Sequence, residues 1–310
     1  MKIGVFVQNR DFFGAKLIHI PLLYSLTKKY PDSEIIVFTP YKDNHIFIES
    51  KLVKKVISYN SVSLFSIVKI LRKEKFDILI SLRPSSTYVN LALFLSGAKE
   101  RIGFKNLISF LSNTTTKIYN KNIYRALAFM DVIDSETPID SYFSLFDSIK
   151  LSDKKNIFIL PGGGEGNFKK WDIEKYISLC EKIGSKDFYF VFVLGSMEKN
   201  YEDDIKKFIM NNEGTILFNK TLSDLISYFK GGDLFISNDC GPAHIAQMMK
   251  KTMLILYSDF FGDADKVIKE WFLPHNYSRF IKSKRFKSIN TISVDEVYDK
   301  VKELLSLIER

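Results

Sequence analysis

The chain has 310 residues, 46% hydrophobic and 26% charged, with two cysteines and a formal net charge of +9. These proportions exclude a disordered or collagen-like chain, and the length suits two domains better than one. Cys180 and Cys240 form no C-x-x-C pair, which argues against a zinc ribbon or disulfide framework and for two reduced thiols. No apolar run approaches the roughly 20 residues of a spanning helix, and the apolar run in Met1–Gln8 is too short for a signal peptide, so the expectation is a soluble, cytoplasmic protein.

The charge is uneven. Through Met130 there are 20 Lys/Arg against 8 Asp/Glu; the remainder carries 25 against 28. This asymmetry points to an anionic partner for the first half: nucleic acid, a membrane surface and a phosphorylated glycolipid all fit the charge.

In chain order, Lys2–Gln8 reads as a buried strand, followed by a helix over about Ala15–Lys29 with Leu17, Pro21, Leu22 and Leu26 near one face. Strands at Glu34–Thr39, Val53–Tyr59, Asp77–Leu82 and Arg101–Phe104 alternate with helices from Ser61 to Glu74 and over Ser86–Leu95. A polar stretch, Leu151–Lys155, precedes a second series of strands: Ile157–Leu160, Phe188–Leu194, Thr215–Phe218, Leu234–Ser237 and Met253–Tyr257. Helix-length segments begin near Asp172, Glu198, Ser223 and Ala243. A last helix over Val294–Ile308 carries a stripe of Val294, Val297, Val301, Leu304 and Leu305. The alternation predicts two α/β domains with parallel sheets, residues 1–150 and 151–310, and ligands bound in the cleft between them. The last helix is expected to pack back on the first domain.

Two segments directly after strands carry the chemistry. Ser237–Ala246 reads S-N-D-C-G-P-A-H-I-A, in which Gly241 permits a tight turn and Pro242 suits a first helical turn. The helix start that follows offers free N–H groups to a diphosphate, and a helix merely capped by Asp239 fits equally well. Pro161–Trp171 reads P-G-G-G-E-G-N-F-K-K-W, where Gly162, Gly163, Gly164 and Gly166 surround Glu165 and leave backbone amides open to an anion. Lys169 and Lys170 can neutralise phosphates, although the G-K-S/T ending of a P-loop is absent.

Taken together and in order, these segments resemble glycosyltransferase family 9, the ADP-heptose:lipopolysaccharide heptosyltransferases. The first matches that family's N-D-S/T-G-P-x-H-x-A signature and the second its P-G-A/S…K-x-W-P loop. Phe13–Pro21 (F-G-A-K-L-I-H-I-P) matches the spacing of its G-D-x-x-x-x-x-P segment. The resemblance spans nearly the whole chain. It implies a GT-B fold: an acceptor-binding first domain, a donor-binding second domain and inverting, metal-independent transfer of a hexose or heptose from a nucleotide sugar to lipopolysaccharide or a related surface glycan. ADP-heptose is the implied donor, and no cofactor is implied. Lys169, Gly163 and Gly164 would contact the donor phosphates. Asp239, Cys240, Gly241 and Pro242 would form the donor-sugar and diphosphate site, with His244 bracing the loop and Asp224 near the ribose. Cys240 stands where the family has Ser or Thr.

Ala15 stands where the family has the Asp that serves as general base. Asp11, in the same loop, is the substitute expected to act; His19 lies a helical turn beyond. Because alanine accepts no proton, a non-catalytic sugar-nucleotide-binding protein is the alternative, as is a transferase using another nucleotide sugar. Asp263–Ala264–Asp265 spells D-x-D, a manganese motif of the other glycosyltransferase architecture, and reads as coincidence at this position. Between Lys69 and Arg125 stand 11 Lys/Arg against 3 Asp/Glu, interleaved with Phe94, Phe104, Phe110, Tyr119 and Tyr124. Here the resemblance implies an anionic glycolipid acceptor contacting Gly14, Arg101 and Lys105. Lys99, Lys117, Lys121 and Arg125 are further candidates for phosphates or headgroups in peripheral contact with the inner membrane face. No nucleic-acid-binding motif is present.

Overall fold

A computed structural model describes residues 1–310 except 9, 42–44, 84, 107–108, 110–112, 165 and 309–310, so Phe110 and Glu165 lie outside the described residues. The chain divides into two compact units, Met1–Tyr142 and Phe143–Arg310. The sequence places this junction at 150/151. Residues 143–150 side with the second unit because it binds their backbone: Ile149 N–H donates to Ser227 O at 2.9 Å, and Lys230 Nζ donates to Phe146 O.

The first unit is a parallel sheet of β1 (Lys2–Phe6), β2 (Glu34–Thr39), β3 (Lys55–Ser58), β4 (Ile78–Ser81), β5 (Glu100–Phe104) and β6 (Thr115–Lys117), in the order β3-β2-β1-β4-β5-β6. Ile3, Val5, Val37, Phe38, Leu79 and Ile80 are buried, as expected of strands covered on both faces. The single helix expected over Ala15–Lys29 is two helices, α1 (Phe13–Leu17) and α2 (Ile20–Lys29). Pro21 explains the break, since it lacks the N–H that a continuing helix needs and instead occupies the first turn of α2. A short helix α3 (His45–Glu49) follows β2. Helices α4 (Leu64–Glu74) and α5 (Thr87–Ser96) pack Ile67, Val68, Leu71, Val89, Ala92 and Leu93 with Phe6, Phe38 and Leu79 of the sheet. Ser63 and Ser86 cap their N-termini by accepting the N–H groups of Ser66 and Val89. Helix α6 (Arg125–Met130) packs on α2.

The second unit repeats this plan. Its strands are β7 (Lys155–Leu160), β8 (Phe188–Leu194), β9 (Gly214–Phe218), β10 (Leu234–Asn238), β11 (Met253–Tyr257) and β12 (Ser278–Lys282), parallel in the order β12-β11-β10-β7-β8-β9. Its helices are α7 (Ile173–Ile183), α8 (Glu202–Asn211), α9 (Leu222–Lys230), α10 (Ala243–Met248), α11 (Ala264–Trp271) and α12 (Val294–Ile308). The stripe of α12 packs within its own unit. Val297, Val301 and Leu304 lie in the second unit's core beside Trp171, Ile173 and Leu179.

Counted from its own first strand, each sheet runs 3-2-1-4-5-6, the doubly wound nucleotide-binding order. The fold is therefore GT-B, two Rossmann-like units in one chain. Strand order reverses between β1 and β4 in the first unit and between β7 and β10 in the second. Loops leaving these strand pairs are where such sheets hold ligands.

Candidate functional site

In the second unit, the reversal brings together the two segments singled out by sequence. β7 and β10 pair from Leu234↔Ile157 to Ser237↔Leu160, so the Pro161 and Asp239 loops emerge side by side. Asn238, fully buried, fastens them: its Nδ2 donates to Pro161 O at 2.8 Å, and its Oδ1 accepts from the Tyr176 hydroxyl at 2.8 Å. Across the same gap Lys169 Nζ lies 3.3 Å from Asp239 Oδ2, both side chains largely covered. Trp171, with no exposed surface, anchors the loop's far end and donates its indole N–H to Ile292 O at 2.9 Å.

The glycines shape the loop in different ways. A Cβ on Gly163 would sit 2.6 Å from Lys170 Cγ and 2.8 Å from Lys169 O, so only glycine allows the loop to fold back on its own lysines. Gly164 and Gly166 have φ of 57° and 137°, the region L side chains rarely adopt. Gly241 has no such φ, and its turn does not depend on left-handed backbone. Pro242 is the N-cap of α10 with φ −60° and ψ −27°, just before the helix, whose first residue is Ala243. Helix α10 is only six residues long, which limits the dipole it contributes to an anion.

The remaining donor-site candidates separate in space. His244 is buried in a helix whose six residues are all buried: its Nδ1 accepts from Gln247 Nε2 at 3.2 Å, and its ring lies 5.6 Å from that of Trp271. Gln247 Oε1 accepts the Leu273 N–H at 2.8 Å, which fixes the amide orientation and leaves the proton of neutral His244 on Nε2. The Cys240 thiol, pushed up to about 12 by burial, is protonated at neutral pH and lies 3.4 Å from Ser237 Oγ. Asp224 starts α9 beyond the edge strand β9, two strands from β7, or about 10 Å at the usual strand spacing. There it completes a capping box, accepting the Thr221 N–H at 3.3 Å while Thr221 Oγ1 accepts the Asp224 N–H at 3.2 Å.

Glu198 escaped the sequence reading, which took it only as a helix start. The residue is 8% exposed, and its Oε2 accepts the Gly195 N–H at 3.1 Å at the end of β8. The other oxygen lies 3.5 Å from where a Gly162 Cβ would stand, so a fixed acceptor borders the glycine loop. The available signal was Gly195 followed by Glu three residues on, a capping pattern at a strand end. Beside this loop a cavity of about 700 Å³ is lined by Phe168, Lys170, Tyr201, Phe260 and Asn290. Phe168 stacks on Phe260 at 5.0 Å and meets Phe261 edge-on at 5.1 Å. Asp265 of the D-x-D triplet is exposed and bonded to Lys282 at 2.7 Å.

In the first unit the loop after β1 carries charge rather than glycine. Asp11 Oδ1 lies 2.7 Å from Nζ of Lys16, a buried lysine on the exposed loop's own helix. Gly14 and Ala15 are buried within α1. His19 is buried as well: Nδ1–H donates to Lys16 O at 3.2 Å, Nε2 accepts the Gln8 N–H at 3.3 Å, and the ring stacks on Phe129 at 4.8 Å. Burial lowers His19 to about 4, so it stays neutral and structural. Arg125 is buried too, with Nη1 donating to Gln8 Oε1 at 3.1 Å. Arg83, not singled out by sequence, follows β4 and donates to the Tyr59 hydroxyl. Topology alone places it at the strand reversal.

The acceptor candidates do not assemble. Lys105 is exposed just past the C-terminal end of β5. Arg101 sits at the opposite end of that strand, where Nη1 donates to Ala98 O at 3.0 Å. Lys99 and Lys117 are engaged with Asp77 at 3.6 Å and Asp134 at 2.6 Å.

Residues 64–260 match the family model described as "Glycosyltransferase family 9 (heptosyltransferase)". Lipooligosaccharide heptosyltransferase 2 of Campylobacter jejuni is 24% identical over 275 residues, covering 81% of this chain and 80% of that protein. Among solved structures, an Escherichia coli heptosyltransferase with ADP superposes with TM-score 0.72 at 12% identity, covering 98% of this chain and 100% of that one. The E. coli ADP-heptose lipopolysaccharide heptosyltransferase II superposes with TM-score 0.67 at 16% identity over the whole of both chains. No helix among the described residues is long and apolar enough to cross a membrane.

Proposed function

The chain belongs to glycosyltransferase family 9, the heptosyltransferase family, and from that premise we propose that it transfers heptose from ADP-heptose to a lipooligosaccharide or lipopolysaccharide acceptor, with inversion and without a metal. The observation that carries this reading is the pairing of Lys169 and Asp239 at 3.3 Å across two loops at the strand reversal. It puts one ammonium, the amides of a glycine loop and an adjacent carboxylate where a sugar diphosphate binds in such sheets. The relatives named for heptosyl transfer support the choice of sugar and acceptor class, and the neighbour solved with ADP supports the choice of base.

In the reaction, the acceptor hydroxyl attacks the anomeric carbon, the bond to the diphosphate oxygen breaks, and ADP leaves with the electron pair. Lys169 exchanges Asp239 for the diphosphate and offsets the charge that grows on it, as do the amides about Gly163 and Gly164. Those groups replace the cation that D-x-D transferases use, so a chelator leaves turnover unchanged. Asp239, released from Lys169, accepts from sugar hydroxyls. Glu198 accepts from the sugar or ribose hydroxyls nearest Gly162. Asp11 takes the acceptor proton on the carboxylate oxygen not bonded to Lys16.

Transfer of labelled heptose from ADP-heptose to heptose-deficient lipooligosaccharide tests the reading. Asp11→Asn is expected to lower kcat about 10²–10⁴-fold with little change in donor KM. Unchanged turnover removes Asp11 as base. Buried Ala15, which has no proton acceptor, favours one second reading, a sugar-nucleotide-binding protein without transferase activity. Donor binding with no product from any acceptor supports that reading over the first.

A further inference from the structure

The outer surface of the α4–α5 layer combines exposed apolar side chains with basic ones. On α4, Phe65, Lys69, Arg72 and Lys73 recur at intervals of four, three and one, which places them along one helical stripe. All four are exposed, and Phe65 is 80% accessible. On α5, Leu91, Phe94 and Leu95 form a parallel stripe, exposed by 40%, 49% and 38% while Val89, Ala92 and Leu93 face the core. Arg72 Nε donates to Leu95 O at 2.8 Å, so the two stripes adjoin. The result is one face with four large apolar side chains and three cations. Isolated exposed apolar residues are ordinary; a row of them on adjoining helices marks a contact surface.

Charge identifies the partner. The nearby carboxylates are held by other lysines, Glu74 by Lys2 at 2.7 Å and Asp77 by Lys99 at 3.6 Å. Among the described residues neither Lys69 nor Lys73 forms an ion pair within 4.0 Å, and the Glu74 carboxylate that Lys73 reaches electrostatically is already bonded to Lys2. A soluble protein partner would have to match both the apolar row and this cationic flank. An anionic bilayer matches both at once, because phenyl and leucyl groups enter the interface while the lysines stay among the headgroups.

We propose that the outer face of α4 and α5 docks on an anionic lipid bilayer, with Phe65, Leu91, Phe94 and Leu95 inserted and Lys69, Arg72 and Lys73 at the headgroups. The sequence offers Lys99, Arg101, Lys105, Lys117, Lys121 and Arg125 for phosphates or headgroups; this proposal adds a separate face on α4 and α5. Docking needs neither donor nor acceptor, so its failure leaves the proposed transfer reaction untouched.

The experiment is sedimentation with phosphatidylcholine vesicles, with and without about 30% phosphatidylglycerol, near 0.1 M salt. Binding is expected only to the anionic vesicles. Lys69→Glu with Lys73→Glu should weaken it at least 25-fold, about five-fold for each charge removed and more for the reversal. Phe65→Ser with Phe94→Ser should abolish it while nucleotide binding by the second unit persists. A fluorescent probe independent of these variants is Phe94→Trp, whose emission should shift to the blue with anionic vesicles. Met210→Trp, at an exposed site of α8, should not shift. Equal binding to both vesicle types, no binding, or a shift at both positions overturns the proposal. So does concentration-dependent self-association without lipid that Phe94→Ser removes, which assigns the face to a second copy.

Discussion

The two units share one strand order, yet their strand-reversal loops are built from opposite materials. In the second unit the loops after β7 and β10 are glycine and small polar residues, fastened by Asn238, Tyr176 and the Lys169–Asp239 pair. In the first, the loop after β1 is tied by charged and aromatic groups: Asp11 to Lys16, Gln8 to His19 and Arg125. Topology fixes where a ligand meets each sheet; side-chain chemistry fixes which ligand. Bare amides with one ammonium suit a diphosphate, whereas a carboxylate among cations suits an anionic molecule that must also lose a proton.

The contrast can be broken most severely at Trp171. This fully buried indole closes the glycine loop onto the second core, and Trp171→Ala should cost about 3–5 kcal/mol in denaturant unfolding. Nucleotide binding should fall with it while the first unit keeps its own transition. A single unfolding transition displaced as a whole would show that the units do not unfold separately.

Next in size is the pH response of the histidines. His19 is lowered from 6.5 to about 4 by burial, so between those values the unfolded chain binds the proton and the folded one does not. Its contribution is complete above about pH 6.5 and is lost as pH falls toward 4, on the order of 3 kcal/mol in all. His275 in the second unit is also lowered to about 4 by burial, but it is half covered and should contribute less. His19→Asn should therefore flatten the stability–pH curve more than His275→Asn, measured by urea midpoints from pH 7 to 4. Equal flattening would mean that the buried ring's bonds to Gln8 and Lys16 do not set it apart.

The smallest effect is at Thr221. Removing its capping hydroxyl with Thr221→Ala should cost about 1 kcal/mol. If Asp224 serves only that cap, ADP affinity should not change. A loss of ADP affinity in Asp224→Asn beyond that of Thr221→Ala would assign the carboxylate to the nucleotide.

These outcomes bear on what could be read without coordinates. The glycine run and the N-D-C-G-P stretch were legible because few other demands produce four glycines within five residues directly after a strand. Most strands were legible as apolar runs. β12 was not, since Ser278–Lys282 holds only two apolar side chains, Phe280 and Ile281, among polar ones at a sheet edge, and β6 is three polar residues. Glu198 and Arg83 were hidden for a different reason. Each is an ordinary charged residue in sequence, and only the strand order carries it to a ligand-binding edge. Arg101 shows the same dependence: it is a basic residue whose place at the start of β5, away from Lys105, only the fold reveals. Exposure likewise separated the lysines of α4 from those already paired.

The most direct test of the account is calorimetric titration of the protein and its Lys169→Ala variant with ADP, UDP, GDP and CDP. The account predicts selective ADP binding that weakens about 10–100-fold in the variant, the size of one charge-assisted contact, with unfolding little changed. Binding of no nucleotide, or ADP affinity indifferent to Lys169, would contradict it.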